Sequence, residues 1–544
     1  MRRASLIVIL LVGLAIPGTP GAAASPETGG PSQVGGPTRF GVPVPRFGKV
    51  SPARLLAAKA RSPIPPGASS RAAPSPSVPL EAQEFDAIAG DPTITPSDST
   101  GALGEAHILT AVNIEYAVWD RGATDPATPV VGPEPLAALF PSLPGDAFVF
   151  DPKVVYDQYT ERFVLVFLAG HGVPFTTGGE RRSWILVVSI PDATATAPAT
   201  WCHRKLNGDR ISDGENLFAD YPGVGFDAHR VYVATNQFTF STSPLFRHAQ
   251  VLALRKGPLY DCDKQPVVEV FGRSQTRDPQ GTKAFTIQPA ITQTETGKEP
   301  SEFMASFQST GCGGLCGSRM TVWRARVIDG TLQLSARSVP VGNASIPPLG
   351  TQKDGSPICS PLADCWDTSD LRLTTAFYDA DRQRLYTAHA VQLDLSPGDG
   401  YLESAIRWYE FDPAPFGSLS LKRKASMGAS RRDAAWPAVG TDGSGNLFVS
   451  YSRAGAPAPT AEYLSAVAST VEPGTTVEEV AVLKEGEAKY RVLTGEPQRW
   501  GDYSAVGRDP ADPGLVASVN QYAKDDGAPP TRLWQQVVHV LSFG

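Results

Sequence analysis

The stretch DYPGVGFDAHRVYVATNQF, Asp220 to Phe238, returns near the end of the chain as DYSAVGRDPADPGLVASVNQY, Asp502 to Tyr522. Both copies open on an Asp-Tyr pair, pass a Val-Gly step to a second aspartate and close on Asn-Gln-aromatic. Each copy reads as a short apolar strand, a breaker-rich turn and a second apolar strand. The same two-strand pattern recurs in DPKVVYD (Asp151 to Asp157) with RFVLVFLA, and in IQPAITQT (Ile287 to Thr294) with EFMASFQ. It recurs again in LRLTTAFYD (Leu371 to Asp379) with RLYTAHAV, and in WPAVGTD (Trp436 to Asp442) with LFVSYS. A weaker first copy is PSDSTGALG (Pro96 to Gly104) before HILTAVN.

The copies stand about 65 to 85 residues apart, and most are followed by third and fourth strand patterns such as SWILVVSI and TWCHRKL. Four strands per unit at regular spacing predict an all-β chain folded as one β-propeller. A β-sandwich is the rival reading, and regular four-strand units argue against it. Counting the weak copy gives seven blades, near 85–146, 147–216, 217–283, 284–367, 368–430, 431–497 and 498–544. Without it the count is six. The last unit ends after its third strand, RLWQQVVHVLSF, so Glu81 to Ala89 (EAQEFDAIA) is expected to supply the missing outer strand and close the ring.

Residues 1–24 read as a secretory signal peptide: Arg2 and Arg3, an apolar run from Leu6 to Ile16, then Ala22-Ala23-Ala24. Residues 25–79 are rich in Pro, Gly, Ala and Ser and are expected to form a disordered linker or propeptide, followed by the propeller over 80–544. The protein is therefore expected outside the cell, as a monomer. A net charge of −7 and a pI near 5.6 argue against nucleic acid or an anionic membrane as partner. The six cysteines predict disulfides, with Cys202–Cys262, Cys312–Cys316 and Cys359–Cys365 the preferred pairing. Zinc is the rival for the two close pairs, and no histidine lies near either.

In a propeller the first strand of each blade lines the channel and the second returns to the face where the first began. That geometry gathers Asp98, Asp151, Asp220 and Asp502, at first-strand starts, with Asn113, Asn236 and Asn520, at second-strand ends, around one channel mouth. Such a ring suits a cation such as Ca²⁺. Its structural reading is stronger: aspartates at strand starts accept backbone N–H groups and hold blades in register. Arg372, Arg432 and Arg499 also precede first strands and are expected at the mouth, either converging on a ligand carboxylate or pairing with Asp370, Asp433 and Asp502. Tyr221 and Tyr503, at matching positions, read as packing anchors that also offer a ring to a sugar. The second aspartates, Asp157, Asp227, Asp379, Asp442 and Asp509, read as turn residues on the opposite face.

No G-x-S-x-G, H-E-x-x-H, P-loop or dinucleotide-binding pattern is present, and the seven histidines are scattered. PSDSTGALGEAHILTAVNIEYAVWD, then DPKVVYDQYTERFVLV and DYPGVGFDAHRVYVATNQF, resemble a group of uncharacterised secreted bacterial β-propeller proteins over most of 85–544. That resemblance implies export and the fold, and no reaction. A more distant resemblance is to sialidase-like propellers, which implies arginines, an acidic residue and a tyrosine at the mouth. Their Ser-x-Asp-x-Gly-x-x-Trp box is absent from every unit. The expected function is a binding or scaffold propeller that engages an extracellular protein or glycan. The alternative is a glycan hydrolase using Arg372, Arg432, Arg499, Tyr503 and Tyr221.

Overall fold

The computed structural model describes residues 52–61 and 80–543, apart from 173–179, 213–214, 241–243, 294–300 and 528–532. The expected signal peptide and most of the expected linker lie outside the described residues.

Among the described residues the chain is all-β apart from short helical turns, and its strands run as consecutive antiparallel sets of four. Unit I is Thr100–Leu103, His107–Val112, Glu115–Asp120 and Val131–Pro135. Unit II is Phe148–Asp157, Arg162–His171, Arg182–Pro191 and Cys202–Asn207. Unit III is Glu215–Phe226, Arg230–Thr239, Phe246–Arg255 and Val268–Phe271. Unit IV is Gln288–Thr292, Ser301–Gln308, Cys316–Ile328 and Thr331–Ser345. Unit V is Thr375–Asp379, Arg384–Leu393, Glu403–Asp412 and Ser420–Met427. Unit VI is Asp433–Thr441, Leu447–Gly455, Glu462–Val471 and Glu479–Lys484.

Unit VII has only Ala505–Arg508, Leu515–Lys524 and Leu533–Ser542 from its own stretch. Its fourth strand is Leu80–Ala89, antiparallel to Leu533–Ser542 with Phe85 opposite Val538. First strands touch in series from unit I to unit VII, and Ala505–Arg508 also touches Thr100–Leu103. In units III to V the series is hydrogen-bonded in parallel, with Phe226 opposite Ile291 and Ala290 opposite Ala376.

All ten residues of Arg230–Thr239 and all nine of Leu447–Gly455 are buried, polar side chains such as Asn236, Gln237, Ser450 and Arg453 included. Outer strands alternate instead, as in Cys202–Asn207. Disulfides join Cys202–Cys262, Cys312–Cys316 and Cys359–Cys365, with Cα separations of 5.0, 5.5 and 5.4 Å. Among the described residues no helix is long and apolar enough to cross a membrane.

Within the stretch expected to lack structure, Pro52–Ala58 forms a helix. Its sequence PARLLAA puts proline at the first helical position and good helix formers after it, a local preference that the composition of 25–79 hides.

Candidate functional site

Where the chain enters several first strands it passes through the left-handed region at residues other than glycine. Asp98, Asp151, Tyr221, Thr286 and Trp436 have φ of 52°, 54°, 53°, 54° and 62°. Such residues cost on the order of 1–3 kcal/mol each and persist where the surroundings hold them. The pairing registers of units II, III and VI break at this point, between Phe150 and Lys153, Asp220 and Gly223, and Ala435 and Ala438.

The turned backbone presents its N–H to the preceding unit. Asp151 N–H donates to Asn113 Oδ1 (2.8 Å), Tyr221 N–H to Asp151 Oδ2 (3.1 Å) and Thr286 N–H to Asn236 Oδ1 (2.9 Å). Asp502 N–H donates to Asp98 Oδ1 (2.9 Å), and Asn113 Nδ2 donates to Asp98 Oδ2 (2.7 Å). The recurring aspartates and asparagines thus clasp one unit to the next, and each clasp satisfies a buried N–H.

Asp98, Asp151, Asp220 and Asp502 lie close enough to repel one another. Three cations sit among them. Lys153 places Nζ 3.3 Å from the Tyr503 ring centroid and feels Asp98, Asp151 and Asp502. Arg499 Nη2 reaches both oxygens of Asp502 at 2.9 Å. Arg372 forks onto Asp370, Nε to Oδ1 at 2.9 Å and Nη2 to Oδ2 at 2.8 Å, with its guanidinium 4.3 Å from the Tyr221 ring centroid. Tyr221 Oη donates to the Asp502 carbonyl (3.0 Å), and its ring meets Tyr503 edge-on at 6.1 Å.

The other named residues lie on different contacts. Arg432 pairs with Glu462 (3.0 Å), and its neighbour Asp433 is taken by Arg61, so the expected Arg432–Asp433 pair does not form. Asn236 bonds Thr286, while Asn520 bonds Ser450 and Ser452 in the inter-unit seam. Asp157, Asp227, Asp379, Asp442 and Asp509 each accept a backbone N–H two to four residues ahead, the expected turn chemistry.

Asp98, Asp151 and Asp220 are nearly sealed, at 0%, 5% and 1% exposure. Burial, then the nearby Asp502, holds the Asp98 carboxyl well above the usual range. Burial, then Asp151, does the same to Asp220, whose Oδ2 has no hydrogen-bond partner. Burial and Asp502 push Asp151 up to about 7, and burial pushes Lys153 down to about 7. The cluster is a knot of mutually repelling carboxyls with cations set among them. Among the described residues no group of three or more His, Cys, Asp or Glu is arranged to hold a metal ion; within this ring Lys153, Arg372 and Arg499 supply positive charge.

A cavity of about 40 Å³ adjoins the knot at Lys153 and is lined also by Gln288, Thr374, Ser504, Gln293 and Arg508. It has room for a few waters and none for a sugar ring. Lys153 is not among the residues expected at the site, whereas the Arg372–Asp370 and Arg499–Asp502 pairs are among the expected pairings. The visible signal for Lys153 was a lysine inside the apolar strand DPKVVYD.

The pH dependence follows from these shifts. Asp98, Asp151 and Asp220 bind protons more tightly folded than unfolded, so their contribution is present at low pH and lost as pH rises, for Asp151 between about 4 and about 7. Lys153 binds its proton less tightly when folded, so stability rises again from about pH 7 to about 10.4. Urea midpoints at pH 5, 7 and 9 should show Asp151→Asn gaining on the native chain between pH 5 and 7. Lys153→Met should lose its advantage between pH 7 and 9. Profiles parallel to the native one would reject this assignment.

No protein-family model matches the chain, and no curated protein matches it. Solved structures do. A protein of unknown function from Dyadobacter fermentans is 12% identical, covering 72% of this chain and 94% of that one at a TM-score of 0.37. An exo-1,5-α-L-arabinanase from a bovine ruminal metagenomic library is 12% identical, covering 60% and 97% at 0.28. A Trypanosoma rangeli sialidase mutant displaying trans-sialidase activity is 10% identical, covering 72% and 53% at 0.32.

Proposed function

We propose that units I to VII form one closed, seven-bladed β-propeller over 80–544 that is exported and binds an extracellular protein or glycan on the face carrying the charged knot. Support for closure comes from the serial contact of first strands back to unit I, and from the pairing of the first and last strands of the body. Support for export comes from three disulfides and from the reading of residues 1–24.

One observation carries binding over hydrolysis. Arg372 and Arg499 are spent on Asp370 and Asp502, and the carboxylates beside them are buried. A glycosidase needs two carboxyl groups flanking a substrate that reaches them. Here the carboxyls clasp neighbouring units, and the cavity beside them is too small for a sugar.

The test incubates the full chain with chromogenic aryl sialosides and arabinosides, and passes glycans and secreted proteins over the immobilised chain. Capture without sugar release is the expected result. Release that disappears in Arg372→Lys would overturn the binding reading.

A further inference from the structure

Residues 52–61 dock on the body through Lys59 and Arg61, through an exposed bond from Arg54 to the Cys312 carbonyl (3.2 Å), and through the apolar Leu56 and Ala58. Lys59 is 2% exposed, and its Nζ donates to Asp367 Oδ1 (2.9 Å) and to the Ser369 carbonyl (2.6 Å). Arg61 donates to the Leu349 carbonyl (2.7 Å), the Leu402 carbonyl (2.9 Å) and Asp433 Oδ1, with its guanidinium 4.2 Å from the Tyr401 ring centroid. Leu349 N–H donates to the Lys59 carbonyl (3.1 Å). Leu56 packs against Leu349, Leu362 and the Cys359–Cys365 bridge.

The receiving pocket is built by the body itself. Asp433 is fully buried and accepts Thr351 N–H (2.9 Å), Tyr401 Oη (2.7 Å) and Ser404 N–H (3.0 Å), none of which belongs to the segment. The cation completes a carboxylate already held in place, and that pre-organisation is characteristic of a ligand site. The segment's helix spans seven residues, too few to be stable alone, so docking is what orders it. The pocket adjoins the knot, because Asp370 and Arg372 directly follow the Asp367–Ser369 stretch that takes Lys59.

We propose that this face is a peptide-binding site for a Lys-x-Arg motif with an apolar residue three positions before the lysine. Residues 52–61 occupy it in cis, and a basic peptide of a partner protein occupies it when they leave. The inference rests on the binding reading above and names its ligand. Residues 62–79 join segment to body with the sequence SPIPPGASSRAAPSPSVP. A tether of that length sets an effective concentration on the order of millimolar, so a partner peptide enters only after the tether is cut or the cations are withdrawn.

The test uses a fluorescent peptide of residues 50–62, VSPARLLAAKARS, and the full chain with a specific-protease site inserted after Gly67. The uncut chain should leave the peptide free. Cutting should let excess peptide displace the native segment, raising the bound fraction at least tenfold by anisotropy. A peptide carrying Lys59→Ala and Arg61→Ala should bind at least a hundredfold more weakly. Because the chain folds before it is cut, a folding defect cannot mimic the result. In a second arm the uncut K59A/R61A chain should bind the native peptide, and D433N added to it should abolish binding. If the K59A/R61A chain does not fold, the cut arm decides. A cut chain that takes up no peptide, or takes the doubly substituted peptide equally well, overturns the proposal. Sugar release in the earlier assay would strike the binding reading alone.

Discussion

Asp370→Ala should lower the free energy of unfolding by about 3–5 kcal/mol, read as a shift of the urea midpoint at pH 7. The carboxylate is fully buried and receives three bonds from Arg372: Nε at 2.9 Å, Nη2 at 2.8 Å and the backbone N–H at 2.8 Å. Truncation leaves a 6%-exposed guanidinium facing Tyr221 and Phe285 without its hydrogen-bonded counter-ion, with Asp502 as a more distant compensating charge. The penalty is that of a buried charge stripped of its hydrogen-bonded partner, larger than the net worth of the pair. Asp370→Leu combined with Arg372→Met should recover most of the loss, because the isolated charge goes with its partner. A single truncation costing under about 1 kcal/mol would mean that water reaches Arg372.

Phe85→Ala should cost about 3–5 kcal/mol, the range for removing a fully buried phenylalanine. Phe85 is 0% exposed, meets the Trp119 ring of unit I in a tilted contact at 5.2 Å and sits opposite Val538 of unit VII. It therefore joins the first strand of the body to the last unit and to the first. With the body one cooperative unit, circular dichroism and tryptophan fluorescence should report the same lowered midpoint. An early separate transition would mean that Leu80–Ala89 peels away alone and that unit VII does not depend on it.

The strand pattern was legible because each unit repeats the same physical problem. Inner strands are rich in β-branched and aromatic residues, and the turns between them need Asp, Gly and Pro. The gathering of Asp98, Asp151, Asp220 and Asp502 was legible for the same reason, since strand starts share one end of the units. Ion pairing was not. Arg432 and Asp433 are adjacent in sequence, yet Arg432 lies just ahead of the strand that Asp433 opens, and one meets Glu462 while the other meets Arg61. The docked segment was hidden by averaging: ten ordered residues sit inside a stretch whose Pro, Gly, Ala and Ser content reads as unstructured. Lys153 stood in plain view inside a strand, but its role depends on carboxylates contributed by units I, II and VII.

The pairing of Leu80–Ala89 with Leu533–Ser542 gives synthesis a built-in check for completeness. The strand Leu80–Ala89 pairs with one that follows it by more than 440 residues, so a chain truncated before Leu533 keeps Phe85 and the rim of unit I uncovered. Such a product stays sticky and open to proteases, whereas the finished chain seals the seam by its own arrival.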